Sequence, residues 1–174
     1  MHENVEIKAA VSDLRSLRKR VEAISDMPGE EIYQDDTFFS VPHGRLKLRE
    51  FSSGSGELIY YERSDMLAPK PSHYLIARVS DPSSLRGVLE EGLGVIGHVR
   101  KHRTLFMVGN TRIHLDEVED LGTYMELEVV LDAGESTEQG EKTARALMDE
   151  LHIDLADLVR GAYVDLISAA KGEG

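Results

Sequence analysis

The chain has 174 residues and a formal net charge of −12, enough length for one well-buried domain and too little for two. That charge argues against a partner recognised through a nucleic-acid backbone, because such binding relies on a basic surface that releases counterions. Cysteine is absent, which removes disulfides, thiolate metal sites and cysteine nucleophiles, and no signal-peptide pattern or run near the ~20 apolar residues of a membrane span is present; the expectation is a cytoplasmic protein without a membrane partner.

The first element is NVEIKA, whose alternation puts Asn4, Glu6 and Lys8 on one face of a strand and Val5, Ile7 and Ala9 on the other. Ser12 then caps a helix from about Asp13 to Ser25, striped by Leu14, Leu17, Val21 and Ile24, and DMPGE ends it. A strand from Glu31 to Val41, the turn PHG, a strand from Arg45 to Phe51, the loop SSGSG and a returning strand from Glu57 to Arg63 follow. After a looser stretch with Pro69 and Pro71, His73 to Val79 reads as a strand, and a short helix has Asp81 at its cap and Pro82 at its first position.

Val95 to Val108 and Thr111 to Val118 flank Gly109-Asn110, a two-residue hairpin signal. Thr123 to Leu131 is a further strand. Ser136 and Gln139 have the capping-box spacing for a helix to about Leu151, and a last helix is expected from Asp157 to Ala169 before a frayed tail at 171–174. The whole of 1–170 reads as one domain without internal repeats. About eight mostly antiparallel strands with short turns favour an α+β fold, mainly antiparallel β, closed as a barrel with flanking helices.

Charged residues fall on one parity of several strands. Arg45, Lys47 and Arg49 share a face, as do Arg112, His114 and Asp116, and Glu126 and Glu128. Counting back from the hairpin turn puts Arg103 opposite Asp116 and Leu105 opposite His114, with Lys101 further along the same face. An ordinary antiparallel strand points such charges at water, where a cross-strand pair contributes only ~0.2 to 1 kcal/mol. Here the opposite faces are apolar enough to be packed: Leu46 and Leu48, Ile113 and Leu115, Leu127 and Val129. A closed sheet covered outside by helices would turn the charges inward. Buried charge is costly unless it is paired or meets a ligand, and this set implies one. Clustered Arg and Lys suit the oxygens of a polyphosphate, and carboxylates without cysteine suit a hard divalent ion such as Mg2+ or Mn2+.

NVEIKA, DDTFF, GRLKLRE, ELIYYER, VRKHRTLF, VGNTRIHLDEVEDLGTYMELEVV and GAYVDL together resemble, in order and spacing over nearly the whole chain, the CYTH superfamily of triphosphate tunnel metalloenzymes, in its class IV adenylate cyclase-like branch. The resemblance implies an eight-stranded tunnel barrel holding a triphosphate with a divalent metal. Its Glu-x-Glu-x-Lys hallmark falls on Asn4, Glu6 and Lys8, with an amide in place of the first carboxylate. It further implies metal ligation by Glu6, Asp116, Glu126 and Glu128, with the parity of Glu62 left open. Substrate binding maps to Lys8, Arg45, Lys47, Arg49, Arg63, Lys101, Arg103 and Arg112, and catalysis to Glu6, Lys8, Lys101 and Arg103. His114 reads as a packed histidine or a proton-transfer group, and Tyr124 and Tyr163 as core or hydrogen-bonded tyrosines.

Three functions are open at this point. One is hydrolysis of inorganic triphosphate, a nucleoside triphosphate or thiamine triphosphate; the second is cyclisation of ATP to cyclic AMP and pyrophosphate; the third is non-catalytic polyphosphate binding. Hydrolysis ranks first because it needs only the tunnel and a placed water. Members of the family form dimers, so a homodimer belongs among the expectations.

Overall fold

The alternating strands close on themselves. In the computed structural model, which describes residues 2–63 and 68–172, the strands are β1 (His2–Ala10), β2 (Glu30–Phe39), β3 (Arg45–Phe51), β4 (Gly56–Arg63), β5 (Lys70–Val79), β6 (Val95–Val108), β7 (Thr111–Val118) and β8 (Gly122–Val130). They form a closed antiparallel barrel in the order β1-β5-β4-β3-β2-β6-β7-β8, with β8 pairing back to β1. Closure leaves no free sheet edge.

Among the described residues, four α-helices accompany the barrel: α1 (Leu14–Ile24), α2 (Pro82–Leu93), α3 (Thr137–Glu150) and α4 (Tyr163–Gly172). Leu17 and Val21 of α1 and Leu147 and Met148 of α3 pack on Ile7, Phe106, Ile113, Leu115 and Leu127, all on the outward faces of their strands. Val5 and Val129 meet Ala144 of α3 in the same way. The larger part of the apolar core therefore lies outside the barrel wall, and each fully buried aliphatic side chain there contributes roughly 1.5–3 kcal/mol. That burial offsets the cost of the charges turned inward.

The hairpin count holds in the β6–β7 register, with Arg103 opposite Asp116, Leu105 opposite His114 and Val108 opposite Thr111. Several element bounds differ from expectation. Asp13, not Ser12, caps α1, its carboxylate accepting from the Ser16 amide. β5 starts at Lys70 and takes in Pro71, which lies opposite Val5. The last helix begins at Tyr163, not Asp157, because Val159 donates to the Lys8 carbonyl and Leu158 bridges to Ala9, holding that stretch against β1. Lys171 and Gly172 belong to α4; 173–174 lie outside the described residues. Among the described residues, no helix is long and apolar enough to cross a membrane.

α4 closes one end of the barrel. Ala162, Tyr163, Val164 and Ile167 pack with the inward Phe38, Val99 and Val118, and Ala162 and Tyr163 line the cavity inside the barrel.

Candidate active site

The inward positions enclose a cavity of about 400 Å³. Cations gather on the β2–β3–β6 side. Asp36, 1% exposed, accepts from Arg49 at 2.8 Å through both oxygens and from the Lys47 ammonium at 2.9 Å, with the Lys101 ammonium 3.6 Å away. The grouping follows from register, since Asp36 is directly opposite Arg49 on β3 and Gln34 opposite Lys101 on β6. Burial alone would raise the Asp36 carboxyl, but Arg49, Lys47 and Lys101 together hold it well below the usual carboxylate range. Burial pushes Lys101 well below the ordinary ammonium value and Lys47 in the same direction, because one carboxylate serves three cations.

Arg103 is held from behind. Its guanidinium binds Asp116 through two 2.7 Å hydrogen bonds, and Tyr163 donates its hydroxyl to the same carboxylate at 2.7 Å. Burial works against the charge on Arg103, yet Asp116 and then Glu126 keep it well above its ordinary value. Burial, then Glu126 and Asp116, raise the Tyr163 phenol well above its usual value, so it stays a donor. Lys8 donates to the Gly161 carbonyl at 2.8 Å and sits 4.0 Å from the centre of the Tyr163 ring.

Carboxylates line the β1–β8 side. Glu6 lies opposite Glu128 and Lys8 opposite Glu126 in the β1–β8 register, while His114 on β7 is opposite Glu126. Burial would raise Glu126, but Lys8, Arg103 and Lys101 hold it well below the usual range. Burial would also raise Glu128, and His114 and Arg112 lower it; Arg112 donates to it at 3.0 Å. One ligand atom each of His114, Glu126 and Glu128 fall within 4.8 Å of one another. His114 is buried and its Nδ1 has no hydrogen-bond partner; the Asn4 amide oxygen is in the same state. One imidazole and two carboxylates, with the buried imidazole nitrogen unpartnered, fit a divalent cation.

Among the expected residues, Glu6, Lys8, Lys47, Arg49, Lys101, Arg103, Arg112, Glu126 and Glu128 all face this cavity. Arg45 and Asp116 do not line it: Arg45 pairs with Asp165 at 2.6 Å and Asp116 stands behind Arg103. The Arg63 side chain lies outside the described residues. Glu62 is exposed and accepts from the Tyr60 hydroxyl. Two residues that the sequence does not mark as site residues are central to it, Asp36 and Tyr163. Asp36 shares parity with Phe38 in DDTFF, a signal that becomes readable once the β2–β3 register is known.

Among the described residues, six cations (Lys8, Lys47, Arg49, Lys101, Arg103, Arg112) and five carboxylates (Glu6, Asp36, Glu57, Glu126, Glu128) line the cavity. Ile59, Tyr74 and Ile76 form an apolar wall on β4 and β5 beside these groups.

The CYTH domain profile matches residues 2–163. The structure of the PH1012 protein from Pyrococcus horikoshii OT3 is similar at 23% identity and a TM-score of 0.85, covering 94% of this chain and 99% of that one. A Vibrio parahaemolyticus protein provisionally named an adenylate cyclase superposes at 22% identity and a TM-score of 0.78, covering 97% and 98%. The Hippeastrum protein HpAC1, which has a dominant triphosphatase activity, superposes at 15% identity and a TM-score of 0.67, covering 98% and 96%. No curated protein matches the sequence.

Proposed function

The chain belongs to the CYTH domain family, and on that premise we propose that it is a divalent-metal-dependent enzyme that hydrolyses a triphosphate inside its barrel. One observation carries the reading: the cation cradle built on Asp36 and the carboxylates Glu6, Glu126 and Glu128 occupy opposite walls of a single cavity. Fixed guanidinium and ammonium groups bind phosphate oxygens without reorganising during reaction. Arg49 and Arg103 each have a carboxylate holding the fork in place, so their remaining donors are aimed before substrate arrives.

In the proposed reaction, water adds to the terminal phosphorus, the bridging P–O bond breaks with its electron pair going to the leaving oxygen, and the water's proton passes to a phosphate oxygen. The charge that builds on the phosphates is met by Lys8, Lys101 and Arg103. A divalent cation, Mg2+ or Mn2+, held by Glu126 and Glu128 with Glu6 nearby, supplies charge neutralisation when bound.

Cyclisation of ATP is the second reading, favoured by the apolar wall of Ile59, Tyr74 and Ile76, which gives an organic group a place beside the phosphates. The test is to incubate the protein separately with tripolyphosphate, ATP and thiamine triphosphate, with Mg2+ or Mn2+, and resolve the products. Orthophosphate supports hydrolysis and ranks the substrates. Cyclic AMP with matching pyrophosphate replaces it by cyclisation, and no product from any of them leaves a polyphosphate-binding module.

A further inference from the structure

We propose that the imidazole of His114 ligates the divalent cation directly, together with Glu126 and Glu128, and that this nitrogen makes the site select a transition-series dication such as Mn2+ over Mg2+. The inference rests on the preceding reading in that the cation is the one the triphosphate site would hold.

Register assembles the three donors. His114 on β7 is directly opposite Glu126 on β8, and Glu128 follows two residues later on the same inward face. His114 is 5% exposed, and its Nδ1 has no hydrogen-bond partner. Oε1 of Glu128 is 3.7 Å from that nitrogen, beyond hydrogen-bond length. A histidine kept only for packing would have its buried nitrogen satisfied by a neighbour; this nitrogen instead points among carboxylates.

Both carboxylates keep capacity towards it. Arg112 donates to Oε2 of Glu128, leaving Oε1 on the His114 side. Glu126 stands 3.7 Å from both the Lys8 ammonium and the Arg103 guanidinium, close enough for attraction and too far for a full hydrogen bond. An ion between the three donors would satisfy the orphan nitrogen and separate the two negative side chains. Mg2+ takes oxygen ligands and gives up water reluctantly, whereas an imidazole nitrogen suits first-row transition dications, whose affinity for a nitrogen-containing site rises from Mn2+ through Fe2+, Co2+ and Ni2+. The donor chemistry therefore favours the transition series.

The test uses the full chain loaded with Mn2+ and no substrate. Pulsed electron paramagnetic resonance should show the coupling of one directly bound imidazole nitrogen, absent in His114→Gln. Calorimetric titration should give a Kd for Mn2+ below that for Mg2+, with the ratio shrinking several-fold in His114→Gln. Bound Mn2+ without nitrogen coupling overturns the assignment, as does coupling that persists in the variant or equal affinity for the two ions. If the variant does not fold, the wild-type coupling and affinity ratio still decide. Turnover of a triphosphate without nitrogen coupling would remove this inference and leave the proposed function; nitrogen coupling without turnover would do the reverse.

Discussion

Asp36 on β2 and Arg49 on β3 face one another across the sheet, joined by two hydrogen bonds of 2.8 Å each. With Lys47 and Lys101 on the same carboxylate, Asp36 is the anion that lets three cations share one wall. Asp36→Asn keeps the shape and removes the charge. Breaking a buried pair in this way costs about 3–5 kcal/mol, measurable by denaturant unfolding, and added tripolyphosphate should restore part of the loss by supplying the missing negative charge. A variant as stable as the wild type would mean that the cluster is not organised by Asp36.

Lys101 and Arg103 should separate binding from folding. Burial outweighs the support Lys101 draws from Asp36, so Lys101→Ala should cost less stability than Arg103→Ala while reducing the thermal stabilisation conferred by tripolyphosphate. Arg103→Ala strands the carboxylate of Asp116, which is 0% exposed, and should cost about 3–5 kcal/mol before any ligand is added. Equal effects of the two on unliganded stability would contradict this division.

Acid should destabilise the metal-free protein in two stages. Burial, reinforced by Arg103, pushes the His114 imidazole down to about 4 from 6.5. The unfolded chain therefore takes up a proton at this residue first, and stability falls as pH drops from about 6.5 to about 4, by up to roughly 3 kcal/mol. The depressed Asp36 and Glu126 carboxyls act in the same direction below their ordinary range, since the stability they give near neutrality is lost as pH falls through their lowered values. Unfolding titrations with chelator present should show the upper stage flattened in His114→Gln and the lower stage retained.

Gly97 tests the plug at the closed end of the barrel. A methyl group at this position of β6 would run into Val164 Cγ2 of α4. Gly97→Ala should lower stability by about 1–3 kcal/mol through overpacking, and Val164→Ala in the same chain should recover part of that loss. Measured thermal midpoints of the single and double variants give the coupling.

What is legible in the sequence depends on the length of the connections. Gly109-Asn110 is a two-residue turn, and such a turn fixes register, so Arg103 can be counted to Asp116 from the turn alone. The inward direction of Glu6, Lys8, Glu126 and Glu128 follows from apolar residues at alternate positions that need a covering layer, which α1 and α3 provide. Asp36 is hidden because the β2–β3 connection is longer than a tight turn and its register cannot be counted. Tyr163 is hidden for another reason: it reaches the site from α4, and nothing local in GAYVDL says that this helix caps a barrel whose first strands lie over a hundred residues earlier. The start of α4 departs from expectation because backbone pairing with β1 holds Leu158 and Val159 out of the helix, a tertiary effect invisible to periodicity.

A crystal structure with the non-hydrolysable imido analogue of tripolyphosphate and Mn2+ decides whether the barrel interior is the triphosphate site. Phosphate oxygens are expected within hydrogen-bond distance of Arg49, Lys101 and Arg103, with the metal beside Glu126 and Glu128. An analogue bound on the outer surface, with these side chains still facing an empty barrel, would contradict it.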